Sequence, residues 1–290
     1  GLSERLSTGV AMLYAFGTPV FFRTSYLNHN LIVCQLGLIA FLLIWDPERK
    51  PLRTGRALVA GLLAGYAVLC DFTGLLLVAV LFVYVWLRAE TPSTTTRVKL
   101  LAAFAAGVLP GILALVAYQA IFFGNPLLPT QHFMPPTAPT VHGYRGFTWP
   151  SITLLWANFF DPRFGLFVYC PMLMAGLAAP FLRGRHAVPA REMWLILSHF
   201  VMTVLFCAAN HYSWLQHTTG CRYLVIVVPG MLLLSLEVLS ATPRWFAFAV
   251  IGFSVVLNWA AAMTYMPPWQ ALALILKAGP QLPWANRVAE

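Results

Sequence analysis

Eight apolar runs follow one another along the chain, at residues 7–22, 27–45, 57–87, 98–122, 164–182, 192–209, 222–240 and 245–266. A helix crossing a bilayer needs about 20 mostly apolar residues. A chain built this way has few ways to fold in water. Of its 290 residues 60% are hydrophobic and 9% charged, whereas soluble domains carry about 25% charged residues. A soluble fold could not hide that much apolar surface behind a polar exterior. Disordered chains, nucleic-acid binders and secreted disulfide scaffolds are excluded on the same ground. The expected fold is all-α, a polytopic transmembrane helix bundle of about 8–9 membrane segments.

The run 57–87 is too long for one crossing. Its 31 residues would make a helix of about 46 Å, against a hydrocarbon core of about 30 Å. Near its middle stands Cys70-Asp71-Phe72-Thr73-Gly74. An ionisable residue close to a glycine is a plausible break, so the run is expected to form a hairpin that returns to its starting side. The charges agree. With a hairpin there, 12 basic residues, among them Arg5, Lys50, Arg88, Arg191 and Arg244, fall on one side. The other side receives six: Arg23, Arg145, Arg163, Arg222, Lys277 and Arg287. Excess Lys and Arg mark the cytoplasmic side, which explains the net charge of +9 without invoking nucleic acid. Segments 46–56, 89–97 and 183–191, with 241–244, are therefore expected in the cytoplasm. The turn 23–29, the Pro-rich loop 123–163 and the loop 210–221 are expected outside.

As domains, this gives a transmembrane helical part over 1–266, with its extracytoplasmic loop at 123–163, and an interfacial tail over 267–290. The chain opens Gly1-Leu2-Ser3, with no initiator Met and no signal peptide before the first run. An N-terminal part is expected to be missing.

Polar residues collect on the outer side of this arrangement. Asp71 is the ionisable residue of the break; a capping carboxylate at a helix start is the alternative. His29 lies between two asparagines at a helix start, where a cap-region role competes with function. Arg222 and Arg145 offer the planar fork that grips a phosphate with two hydrogen bonds; for Arg222 the alternative is an anchor at the headgroup level. Trp214 and Tyr144 stand among outer-loop aromatics that suit a sugar or an isoprenoid, or else belong to the interfacial aromatic belt. His211 and His217 are six apart with no completing ligand, so no metal site is expected. The five cysteines form no CxxC pair. Cys207 and Cys221 flank one loop, but buried cysteine ordinarily behaves as a small hydrophobe. There is no Gly-rich phosphate loop, GxSxG or HExxH.

One set of segments resembles a family. They are Tyr14-Ala-Phe-Gly-Thr-Pro-Val before Tyr26-Leu-Asn-His29-Asn; Gly61-Leu-Leu-Ala-Gly65 running to Cys70-Asp71-Phe-Thr; Phe123-Gly-Asn-Pro126; Gly143-Tyr-Arg-Gly-Phe147; Phe164-Gly-Leu-Phe-Val-Tyr-Cys-Pro171; and Trp214 through Gly220-Cys-Arg222-Tyr-Leu to Pro229. Together they resemble bacterial integral-membrane glycosyltransferases of the GT-C type, the protein mannosyltransferase-like and lipid A arabinose transferase-like proteins. The resemblance implies an enzyme of the bacterial inner membrane that transfers a sugar from a polyprenyl-phosphate donor at the extracytoplasmic face, with no cofactor and no nucleic-acid partner. In that family the catalytic acid lies in the first outer loop. No acidic residue matches it here, so no catalytic residue is assigned. Arg222, Arg145, His29, Asp71, Trp214 and Tyr144 are the expected binding residues. The acceptor is not indicated. A non-catalytic membrane scaffold of the same ancestry, or a transporter or flippase of a lipid-linked solute, are the other readings. The transporter reading lacks a second broken helix to match the one at Asp71.

Overall fold

A computed structural model describes residues 4–24, 28–46, 50–88, 93–182, 187–218 and 220–280. Residues 47–49, 89–92 and 183–186 of the segments expected in the cytoplasm, and 281–290 of the tail, lie outside the described residues. The α-helices are α1 (Glu4–Gly17), α2 (Pro19–Thr24), α3 (His29–Ile44), α4 (Thr54–Cys70), α5 (Gly74–Arg88), α6 (Thr94–Phe123), α7 (Ile152–Phe160), α8 (Leu166–Tyr169), α9 (Ala190–Ala209), α10 (Val228–Ser240), α11 (Arg244–Thr264) and α12 (Pro268–Ala278). Four 3₁₀ stretches lie at Thr130–Phe133, Pro171–Phe181, His211–Thr218 and Tyr223–Val227. The only strand-like pairing among the described residues is a single bridge between Phe147 and Asn210. The fold is all-α.

Helix α6, helix α9, the stretch Tyr223–Ser240 and helix α11 are long and apolar enough to cross a membrane. Helices α3, α4, α5 and the 3₁₀ helix 171–181 are apolar but shorter. Large apolar side chains face outward, among them Leu113, Ile121 and Phe248. Apolar surface on that scale suits lipid rather than water. The chain is membrane-embedded, and it divides into two compact units, 32–146 and 1–31 with 147–290.

In the unit 32–146 the expected break is real. Asp71 ends α4 in an extended conformation, and α5 begins at Gly74. Arg88, at the end of α5, donates to the carbonyls of Ile44 (3.2 Å) and Lys50 (2.8 Å). The start of α4 and the end of α5 therefore lie at one end of the unit, and α5 is the return arm of a hairpin. Helix α3 runs parallel to α5: Gly37 meets Leu77, and Phe41 stacks on Tyr84 at 5.5 Å. Helix α4 runs parallel to α6 in backbone contact. A methyl group on Gly61 would overlap the Phe104 carbonyl, and one on Gly107 the Leu58 carbonyl. Gly65 and Gly111 meet in the same way. Small residues four apart on both helices permit this approach, the usual device of helix pairs in membranes. Lys50, Arg53, Arg56, Arg88, Arg97 and Lys99 thus gather at one end, with Asp71 and the end of α6 at the other.

The other unit has a different problem to solve. Segment 164–182, expected as one span, is short α8 followed by eleven residues of 3₁₀ helix that begin with Pro171 and contain Pro180. A tightened helix satisfies its backbone poorly, and in lipid every backbone group needs a partner. Neighbouring helices supply them. Ser254 accepts from the Met172 amide at 3.0 Å, and Ser235 accepts from the Gly176 amide at 3.0 Å and donates toward the Leu173 carbonyl. Asn258 donates to the Tyr169 carbonyl at 2.8 Å. These contacts set the 3₁₀ helix antiparallel to α11. Helix α1 is parallel to α11, with Phe21 against Trp259 at 5.2 Å just beyond its end. The Ala187 amide donates to Glu237 at 2.9 Å, placing the start of α9 beside the end of α10. Arg5, Arg191 and Arg244 therefore share one end of this unit, and Arg23, Arg163 and Arg222 lie toward the other.

The long loop 123–163 is not structureless. It holds the turn Thr130–Phe133, which belongs to the first unit, and α7, which packs on α9 in the second.

Candidate functional site

At the end of the unit 32–146 away from Lys50, Arg53, Arg56, Arg88, Arg97 and Lys99, the broken helix opens a cleft of about 370 Å³. Its walls come from three places. The end of α4 and the break give Val68, Leu69, Cys70, Asp71 and Phe72; α6 gives Leu115 and Tyr118; the 3₁₀ turn gives Thr130 and Gln131. Oδ1 of Asp71 accepts from the Thr73 amide at 2.8 Å. One oxygen fixes the turn that starts α5, and the residue also lines the cleft. The loop beyond is braced by aromatic contacts. Phe133 stacks on Phe123 at 5.1 Å, and Nδ1 of His132 lies 3.0 Å from the Tyr144 hydroxyl. Arg145 adopts a positive φ of 53° between Gly143 and Gly146, and its guanidinium reaches the Met134 carbonyl at 3.5 Å.

In the other unit, the loop between α9 and α10 is organised by the buried side chain of Gln216. Its amide nitrogen donates to Asn158 Oδ1 (3.0 Å) and to the Ser213 carbonyl (3.1 Å). Its oxygen accepts from the amides of Arg222 (2.9 Å) and Tyr223 (3.0 Å). Gly220, at φ +70°, passes so close to Tyr169 and Phe22 that a Cβ would lie 2.5 Å from the Tyr169 hydroxyl. Arg222 is thereby held in place. Its guanidinium donates to the Tyr223 hydroxyl at 2.7 Å and lies 4.6 Å from the centre of that ring. Its Nε is buried and has no hydrogen-bond partner among the described residues. Beneath the loop, burial pushes the Cys221 thiol up to about 12, against a pull from Arg23 in the other direction. Arg23 is only 1% exposed.

The expected residues separate accordingly. Asp71, Tyr144 and Arg145 belong to one unit, and His29, Trp214 and Arg222 to the other. Asp71 lines the cleft. Tyr144 is exposed and paired with His132. His29 is exposed at the first turn of α3, while Asn28 caps that helix by accepting from the Asn30 amide at 2.8 Å. Trp214 is half-buried, edge-on to Phe164 at 6.2 Å. Asp161 and Arg163 form a local pair, with two hydrogen bonds between side chains, and the hydrogen bond to Asp161 raises the Arg163 guanidinium. None of the five cysteines is in a disulfide. The side chain of His217 lies outside the described residues.

Sequence reasoning passed over Tyr118, Thr130 and Gln131, which carry no signal until α6 and its following turn bring them to Asp71. It placed Arg23 on the outer side, in the turn 23–29, with no sign that the residue is buried. The fold and the hydropathy define a helical membrane protein. No protein-family model, no curated protein and no solved structure matches the chain.

Proposed function

We propose that the chain is a membrane glycosyltransferase of the GT-C type, with about 8–9 membrane segments, that transfers a sugar from a polyprenyl-phosphate donor at the extracytoplasmic face of a bacterial inner membrane. The observation that carries this reading is the state of Arg222: a guanidinium fixed by its loop, at the end opposite Arg5, Arg191 and Arg244, with an Nε–H that no described residue accepts. A buried donor left unpaired costs about 1–3 kcal/mol. An anionic oxygen of a lipid phosphate would relieve that cost. In the transfer, the acceptor hydroxyl attacks the anomeric carbon and its proton passes to a base. The bond from that carbon to the phosphate oxygen breaks, and its electron pair leaves with the phosphate. A preorganised guanidinium stabilises the charge that grows there. No residue is assigned as the base. The orientation rests on the charges: the ends bearing most of the Lys and Arg face the cytoplasm.

The test is binding of undecaprenyl phosphate to the purified full chain in nanodiscs, with phosphatidylglycerol as competitor. Arg222→Ala should weaken binding about 10–150-fold, the equivalent of losing one charged hydrogen bond of about 1.5–3 kcal/mol. Arg222→Lys should restore little, since an ammonium lacks the planar fork. Binding no tighter than that of phosphatidylglycerol would sink the proposal. A second reading, the non-catalytic scaffold, draws on the Gln216 and Tyr223 contacts, which make Arg222 a structural anchor. It leads if Arg222→Ala lowers the melting temperature while leaving undecaprenyl phosphate binding unchanged.

A further inference from the structure

Helix α7 belongs to the loop expected outside the membrane, yet its register on α9 takes it well below the end of a helix long enough to span. The Ser151 amide donates to the Ala208 carbonyl at 2.9 Å, and the Thr148 amide to the Ala209 carbonyl at 2.9 Å, so α7 starts at the end of α9. Its last turn lies against the middle of that helix, where Phe159 stacks on Phe200 at 5.9 Å. The two helices are therefore antiparallel, with the same stretch of each between the two contacts, 151 to 159 and 208 to 200. At 1.5 Å per residue that is a descent of about 12 Å, close to half of a hydrocarbon core of about 30 Å.

The face that α7 turns away from α9 is apolar. Leu154, Ala157 and Asn158 are buried. Ile152 and Trp156, one turn apart on the opposite side, are 78% and 65% exposed, and Trp149 stands just before the helix. A helix facing water carries polar residues on that side, whereas residues 147–160 include no ionisable side chain. Counted from the Ser151–Ala208 contact, Trp156 is level with the stretch of α9 between Val201 and Leu205. Both of those side chains are exposed on the spanning helix, where lipid covers them. Lipid leaves no backbone group open, and the inner end of α7 complies: the Asp161 amide donates to the Ala157 carbonyl, and the Phe164 and Gly165 amides to the Asp161 carbonyl. The charges just beyond cancel in the Asp161–Arg163 pair.

We infer that α7 is a half-membrane helix, entering the leaflet at the end of α9 opposite Arg191. It lays Ile152 and Trp156 against phospholipid acyl chains and holds Trp149 at the headgroup level, where tryptophan concentrates. Its partner is the lipid of that one leaflet. The inference needs neither the donor site at Arg222 nor any transferase activity.

Nitroxide labels test it on the full chain in nanodiscs, with Cys70→Ser as background. Labels at Ile152→Cys and Trp156→Cys are compared with labels at Val201→Cys and Leu205→Cys on α9. Oxygen is apolar and concentrates in lipid; the nickel complex NiEDDA stays in water. Oxygen collisions should outnumber NiEDDA collisions at all four positions, and Trp156→Cys should reach the depth of the two α9 labels. Trp149→Cys should lie shallower, with a lower ratio. NiEDDA collisions in excess at Ile152→Cys and Trp156→Cys would place α7 in water and overturn the inference. Slow collisions with both reagents there would mean that protein covers the face, and would overturn it equally. Two labels on one exposed face guard against a local distortion at either, and each variant should keep the melting temperature of the Cys70→Ser background.

Discussion

Single side chains do much of the organising in this protein, and Gln216 does more than most. Its amide satisfies two backbone donors, one backbone acceptor and the Asn158 carbonyl. Gln216→Ala leaves the Arg222 and Tyr223 amides and Asn158 Oδ1 without that partner. At about 1–3 kcal/mol for an unsatisfied buried group, the variant should lose at least about 2 kcal/mol, visible as a lower melting temperature in detergent. An unchanged melting temperature would mean that water replaces the amide and the loop is looser than described. Gly220→Ala should be as harmful, because a Cβ there meets Tyr169 and Phe22 and φ is +70°, in a region that costs other residues about 1–2 kcal/mol. At this scale the sequence was partly legible. Asp71 stood out because a carboxylate in an apolar run demands a reason. Gln216 carried no such mark, since nothing in a sequence announces that Asn158, Ser213 and the Arg222–Tyr223 backbone will converge on one amide.

Among the helices, the pairing of α4 with α6 depends on the absence of side chains. Gly61→Ala or Gly107→Ala would press a methyl group into a backbone carbonyl, and overpacking of this kind costs about 1–3 kcal/mol. Gly55→Ala, where nothing lies within 4 Å, is the matched control and should leave the melting temperature unchanged. If all three behave alike, the close approach of the two helices is wrong. Element boundaries were largely readable from hydropathy: the run 192–209 is α9 at 190–209, and 245–266 is α11 at 244–264. Others were not: the run 7–22, read as one span, is the two helices α1 and α2. The 3₁₀ helix 171–181 depends on hydroxyls and an amide from α10 and α11, distant in sequence. Helix α7, with nine residues, is too short for its apolar content to suggest a span.

For the whole chain, the division into two units was hidden, because the long loop reads as one Pro-rich stretch although its halves pack with different helices. The proposed orientation has a direct test. Cys70 lines the cleft and is half-buried, whereas Cys34, Cys170, Cys207 and Cys221 are buried. At pH 8 the Cys221 thiol, raised to about 12, stays protonated and unreactive, since the thiolate is the nucleophile. A membrane-impermeant maleimide should therefore label intact cells at one site per chain, and Cys70→Ser should abolish it. Labelling confined to inside-out vesicles would invert the orientation.

The break at Asp71–Thr73 also settles a question of parity. In the proposed orientation, an unbroken helix through 57–87 would count as one traversal, while α4 and α5 count as two. The next helix, α6, inherits its heading from that count. Deleting the break would do more than lengthen a helix: it would ask α6 to run the opposite way, and would send Arg97 and Lys99 to the face that Lys and Arg avoid. In the proposed orientation, three residues of interrupted helix thus fix the direction of the longest helix of their unit.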